Sequence, residues 1–425
     1  MKNILILFLL CSQTVHLSSQ VEFSKWFTDG SLRVDYILAG NHSGSEVYLQ
    51  TLKKEPYWGG SRSTLIDNLE YGEYICKVYT EESSELIYSR GFSTLFQEWQ
   101  TTPEASQIKK GFYQSTNIPF PKQQVRLEIY ERDQKGEFAK KISVRVDPAD
   151  YFIQPSSGLN YLVDKIRVSG DTDHCVDIAF IPEGYTRNQM GKFKKDILRL
   201  TDSLFTVRPY SAYRNKFNLY AILAPSDDEG ADVPGAGIWK NTLVNSSFYT
   251  FDSERYLTTL DYWKVKDVAA LAPYDQIYIL VNTEKYGGGG VYNHYNLTSS
   301  DNELSSQVFI HEFGHGFAGL GDEYYTSDVS YSDFYSPEIE PWEPNLTTLV
   351  NFSTKWKDML NPETPVPTPS TSEYTGITGV FEGGGYVAQG VYRPAFDCRM
   401  KSNTPAGFCK VCEQAIEKMI LFICQ

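Results

Sequence analysis

Residues 308–325 read VFIHEFGHGFAGLGDEYY. His311 and His315 stand four apart, Glu312 follows the first of them, and Gly319, Asp322 and Glu323 close the stretch. The apolar residues fall in a helical rhythm, with Leu304 and Val308 on the histidine side and Ile310, Phe313 and Phe317 on another. Residues four apart on a helix lie one turn apart on the same face, so both imidazoles can reach one point. Gly319 lets the helix stop and the chain fold back. The stretch therefore predicts a helix that buries one side and presents two histidines, with a carboxylate returning from the turn beyond. Two imidazoles and one carboxylate suit Zn2+ and leave a fourth position for water. Asp322 is the candidate third ligand, and Glu323 is its neighbouring alternative. Glu338, Glu340 and Glu343 lie further on, but Pro337, Pro341 and Pro344 disfavour the helix that would present them. Glu312, beside a metal-bound water, is the candidate general base.

Upstream, CVDIAFIPEGYT from Cys175, KFNLYAILAP from Lys216 and DQIYILVN from Asp275 read as buried strands. Phe193, Ile197, Leu200 and Leu204 share one helical face between the first two. Strands alternating with helices predict an α/β or α+β layer. Residues 286–296, YGGGGVYNHYN, lie between the third strand and the histidine helix. They read either as a sheet edge on which an extended peptide pairs, with Gly289 and Gly290 as substrate contacts, or as a flexible turn. His294 reads as a surface or core histidine, not a ligand. Earlier still the period is two: Val125, Leu127 and Ile129 alternate, as do Ile142, Val144 and Val146. Short strands of this kind predict an antiparallel sandwich. Residues 150–170, with Pro155 and Gly158, read as a connector. Beyond Tyr325 the chain is mostly loop-like until CEQAIEKMILFIC, a terminal helix.

The 425 residues suffice for two domains. A net charge of −14 with no long basic run argues against nucleic acid or an anionic membrane surface as partner. MKNILILFLLCSQ reads as an export signal whose apolar core is too short to span a bilayer. Cys11 is a candidate lipid-attachment residue, although Leu10 before it is a poor match. The expectation is an exported chain, secreted or lipid-anchored at a bacterial cell envelope. Cys398, Cys409, Cys412 and Cys424 crowd the C-terminus, and export favours one or two disulfides there. A structural zinc site is the other reading, with a single C-x-x-C to support it. SDDEGADVPG from Ser226 reads as a solvated acidic loop or, off the EF-hand spacing, as a Ca2+ site.

The order His311, His315, Gly319, Asp322 is similar to the metzincin pattern H-E-x-x-H-x-x-G-x-x-H, with one more residue before the glycine and aspartate for the last histidine. HEFGHGFAGLGDEYY, together with Cys398-Arg399-Met400, resembles the bacterial IgA peptidase family of metallopeptidases. The resemblance implies an α+β chain. A signal over residues 1–20 would precede an N-terminal antiparallel β-sandwich over 21–165 and a metzincin-like zincin catalytic domain over 170–425, with a twisted sheet and an active-site helix. It implies one catalytic zinc on His311, His315 and Asp322, with Glu312 as base and Met400 as the Met-turn residue packed beneath the histidines. The implied substrate is a protein or peptide. The family name does not by itself carry immunoglobulin A to this chain. Some metzincins place a tyrosine two residues after the methionine. Ser402 stands there, so Tyr392 and Arg393 become the candidates for transition-state contact. Two other readings stand beside this one: a catalytically inactive, peptidase-like binding or adhesion protein, and a hydrolase of non-peptide amides. The intact Glu312 and both histidines favour activity.

Overall fold

Period-two alternation in the first third builds two small sheets. The computed structural model describes residues 21–133, 135–325 and 335–425, so the signal stretch with Cys11 lies outside the described residues. After α1 (Phe23–Trp26) come β1 (Phe27–Asn41), β2 (Gly44–Glu55), β3 (Tyr74–Thr80), β4 (Leu86–Phe92), α2 (Leu95–Gln100), β5 (Lys110–Pro121), β6 (Val125–Arg132), β7 (Phe138–Val146) and the two-residue β8 (Gln154–Pro155). The sheet orders are β5-β1-β2-β8 and β4-β3-β6-β7. All pairings are antiparallel except β2 with β8. Leu32, Val34, Tyr36 and Leu38 of β1 meet Val78, Leu127 and Ile129 of the facing sheet in one core. This is the predicted sandwich.

The stretch expected as a connector contributes β9 (Val163–Arg167), a strand the sequence reading lacked. Next come β10 (Val176–Glu183), α3 (Met190–Leu204), β11 (Phe217–Ile222), α4 (Tyr262–Ala269), β12 (Gln276–Val281), β13 (Gly288–Val291), β14 (Tyr295–Ser299) and α5 (Ser305–Ala318). The chain closes with β15 (Phe381–Gly384), β16 (Val387–Arg393) and α6 (Lys410–Cys424). The six-stranded sheet built from β9 to β14 has the order β13-β14-β12-β10-β11-β9. Its inner strands run parallel, and β9 and β13 close the two edges antiparallel. Parallel strands are covered on both faces, which is why these segments read as continuous apolar runs. Ile178, Phe180, Tyr278 and Leu280 pack with residues of α3, α5 and α6, such as Phe193, Phe313 and Ile416. Ala179, Ile181, Ile277 and Ile279 join the core that also contains the sandwich residues. Among the described residues no helix is long and apolar enough to cross a membrane.

The other face of β1 is polar and is covered by α4. Arg33, 1 % exposed, binds Asp35 at 2.6 Å on its own strand and Asp267 of α4 at 2.7 Å, with Glu55 at 3.5 Å. It also donates to the carbonyl of Trp263 at 3.2 Å. Removing the guanidinium takes two hydrogen bonds from buried Asp35 and leaves it only Lys53 at 3.3 Å as a cation, while Glu55 loses one of the cations acting on it and keeps Lys266. Arg33→Met is expected to destabilise the chain by about 3–5 kcal/mol in urea unfolding. A loss below about 1 kcal/mol, the range of a surface pair, would show that this cluster does not fasten the sandwich to α4.

Candidate metal centre

The histidine helix forms where its pattern predicts it, and it stops at Gly319, whose φ is 64°. Ile310, Phe313 and Phe317 sink into the core. A Cβ on Gly314 would lie 2.8 Å from Met400 Sδ, so glycine lets the fully buried methionine press against the helix. Met400 thus packs against the turn of α5 between the two histidines.

Each histidine is aimed by a backbone carbonyl. His311 Nδ1 lies 2.9 Å from Arg399 O, and His315 Nδ1 lies 2.5 Å from Leu320 O. A carbonyl only accepts, so both Nδ1 atoms carry protons and both Nε2 lone pairs are left for a cation. The Nε2 atoms are 3.0 Å apart, and Asp322 Oδ1 is 3.1 Å from that of His311 and 3.3 Å from that of His315. Donors about 2.0–2.1 Å from a tetrahedral zinc stand about 3.3 Å from one another, so the triangle fits that ion. Charge points the same way. Burial works against the imidazolium of His315, yet Asp322 and Glu312 raise it to about 9. Burial pushes the Asp322 carboxyl up, but the two histidines outweigh it and hold it well below the ordinary carboxylate value. The three groups together hold a positive charge, a proton or a metal.

Glu312 brings a carboxylate oxygen within 4.8 Å of the histidine nitrogens. Burial raises its pKa, with His311 and His315 opposing. It lines a cleft of about 390 Å³ together with the histidines, Asp322, Arg255, Tyr324 and Tyr386. The sandwich contributes Glu73 and Glu98 to the same cleft. β13 rides directly on α5: a Cβ on Gly290 would lie 2.3 Å from Glu312 O, so the glycine run is a close approach and not a flexible turn. Its edge is partly taken, since Leu257 N–H donates to Gly288 O at 3.2 Å. Gly289 and Gly290 face the cleft.

Several expected residues stand elsewhere. Tyr392 and Arg393 do not line the cleft. Tyr392 pairs through its backbone with Thr347, and the Arg393 guanidinium donates to the carbonyls of Glu382 and Gly383. Both are held in β16, paired with β15 on one side and Thr347 on the other, which a loop-like reading could not foresee. Tyr386 takes the place near the ligands: its hydroxyl donates to Asp322 Oδ2 at 2.5 Å from a backbone at φ 70°. The hairpin that holds it is fastened by Gly385 N–H to Asp322 O at 2.8 Å and Tyr386 N–H to Tyr324 O at 3.0 Å. Its only sequence signal is the glycine run of EGGGY, where a tight turn forces a side chain outward. Glu323 points away from the histidines, to Asn345 and Cys412. Glu343 accepts from Tyr335 at 2.8 Å. His294 is buried, stacked on Tyr262, and lies 3.0 Å from Gln114.

The expected disulfides are absent among the described residues: all six cysteines there are free thiols. The calcium reading of residues 226–235 is not supported. Asp228 accepts from Asn241 N–H, Asp232 from Lys240 N–H, and Glu229 from Gln189 and Asn282. Its carboxylates are spent on the chain itself.

Residues 165–375 and 370–420 match the family model described as IgA Peptidase M64, and residues 22–143 match the one described as Peptidase M64 N-terminus. No curated protein matches the chain.

Proposed function

The chain belongs to the IgA peptidase M64 family, and we propose that it is a zinc-dependent endopeptidase in which His311, His315 and Asp322 hold the ion and Glu312 moves the proton. The observation that carries the reading is the convergence of two Nε2 lone pairs and one carboxylate oxygen, 3.0–3.3 Å apart, on one wall of an open cleft. A zinc ion there supplies the Lewis acidity that makes water nucleophilic at neutral pH and polarises a carbonyl. Glu312 accepts the proton of the attacking water on its carboxylate and returns it to the leaving amine. Burial, which favours the protonated carboxyl, suits a group that must both take and release that proton. Tyr386 orients Asp322 through the hydrogen bond at Oδ2, leaving Oδ1 for the ion. Arg255, 5.5 Å from the ring centre of Tyr324, is a cation on the cleft wall for charge developing on the carbonyl oxygen. An extended substrate lies over Gly289 and Gly290, which line the cleft.

The test is cleavage of unfolded casein by purified residues 21–425, before and after treatment with 1,10-phenanthroline. Cleavage is expected to disappear with the chelator and to return on adding zinc. Cleavage that survives full removal of metal would overturn the mechanism. Bound zinc with no cleavage of casein or of a peptide library would return the inactive binding-protein reading.

A further inference from the structure

Next to the cleft, four side chains from three separate segments meet. Glu323 follows the candidate ligand Asp322, Cys398 lies two residues before Met400, and Cys409 and Cys412 stand at the start of α6. One donor atom of each lies within 4.8 Å of every other. Cys398 Sγ and Cys412 Sγ are 3.8 Å apart, and Cys412 Sγ lies 3.2 Å from Glu323 Oε1. A disulfide requires about 2.05 Å. The edge of a tetrahedron with zinc–sulfur bonds of about 2.3 Å is about 3.8 Å.

We propose that Cys398, Cys409, Cys412 and Glu323 bind a second zinc ion, in a closed structural site separate from the histidine site.

Burial supports this. Cys398, Cys412 and Glu323 are at most 1 % exposed. Glu323 Oε1 takes a hydrogen bond from Asn345 at 3.0 Å, but Oε2 has no hydrogen-bond partner among the described residues. A buried carboxylate with one orphaned oxygen, beside two buried thiols and a half-buried one, is a costly arrangement unless a cation completes it. Thiolates with one carboxylate form a donor set that zinc accepts, and four protein ligands leave no open position for substrate. The surroundings suit the anionic cluster. Cys409 N–H donates to Cys398 Sγ at 3.2 Å. Cys409 is the N-cap of the fifteen-residue α6 and Cys412 stands in its first turn, where the helix dipole favours a thiolate. Arg393 and Lys401 interact with Glu323, and Arg399 with Cys398. This gives Arg393 a place in the architecture that the cleft does not.

The consequence reaches the cleft through the chain. Glu323 is adjacent to Asp322. Arg399, whose carbonyl orients His311, is adjacent to Cys398. Met400 O accepts from Glu323 N–H at 2.9 Å. A zinc on the thiols therefore ties α6, the methionine turn and the third histidine-site ligand to one another.

Metal content decides the matter, and the full chain is measured as purified. About two zinc ions per chain are expected in the parent. His315→Ala is expected to keep roughly one, and Cys412→Ser to lose that other one. Cobalt loaded into His315→Ala is expected to show thiolate-to-metal charge-transfer absorption, which a further Cys409→Ser change, at the half-buried and so least disruptive position, lowers in intensity. A parent with a single zinc that vanishes in His315→Ala would overturn the proposal. So would cysteines that resist alkylation after denaturation without reductant, the mark of a disulfide. Failure of the histidine site would instead leave the thiol-bound cobalt spectrum intact, so the two failures are distinguishable.

Discussion

Glu312→Gln is expected to lower casein turnover by about 10²–10⁴-fold while the metal content of the chain stays at the parent value. That range corresponds to about 3–5 kcal/mol of lost transition-state stabilisation. Glutamine has the shape of glutamate and keeps an oxygen and a donor in the same space, but it accepts no proton. The neighbours leave little room for a compensating movement. A Cβ on Gly288 would sit 2.6 Å from Glu312 Oε1, so the carboxylate is wedged under β13. The substitution also removes a charge whose burial is unfavourable, as the raised pKa records. The variant is therefore expected to be as stable as the parent or slightly more so, the usual exchange at a catalytic carboxylate. Turnover, zinc content and urea unfolding measured on one preparation make the check. If the variant retained more than about a tenth of the activity, Glu312 would not be the proton carrier in the sense of general base catalysis. Loss of zinc together with activity would mean that it is a ligand.

What was legible in the sequence is what local pattern can encode. The spacing of His311 and His315, with Phe313 and Phe317 between and beyond, specifies a helix and both of its faces without reference to any other segment. The apolar runs of β10, β11 and β12 specify burial on two sides, and Val125, Leu127 and Ile129 specify burial on one. What stayed hidden depends on partners far away in the chain. The four C-terminal cysteines, Cys398 and Cys412 among them, read as one or two disulfides because export favours that bond. The residue that completes their cluster, Glu323, is 75 positions before Cys398 and looked like a spare ligand for the histidines. Tyr386 was hidden for a different reason: its role follows from a hairpin turn at positive φ that docks on residues 322–324. Tyr392 and Arg393 were misplaced because a stretch read as loop has no defined faces, whereas β16 does. Glu73 and Glu98 reach the cleft only because the sandwich and the six-stranded sheet share a core, which the alternation inside either one cannot announce.

Asp322→Ala is expected to weaken zinc at the histidine site by more than the roughly 10–100-fold typical of losing a supporting partner, and to remove peptidase activity with it. Among the described residues, Asp322 supplies the only carboxylate oxygen within 3.3 Å of both Nε2 atoms. Two neutral imidazoles alone hold zinc poorly beside water, and Glu323 cannot swing in as a substitute. Its backbone N–H is held by Met400 O, and its carboxylate is engaged by Asn345 and Cys412. The two adjacent acids thus serve opposite directions, and Glu323→Ala gives the complementary pattern: retention of the histidine-site metal with loss of the thiol-bound one. Zinc titration of both variants against a chromophoric chelator separates these outcomes. If Asp322→Ala bound zinc as tightly as the parent, the third ligand would lie elsewhere and the site geometry proposed here would be wrong. If both variants lost both ions, the two centres would be one coupled unit. The single hydrogen bond from Glu323 N–H to Met400 O, between the segments that carry Asp322 and the His311-orienting carbonyl, would then be the first connection to examine.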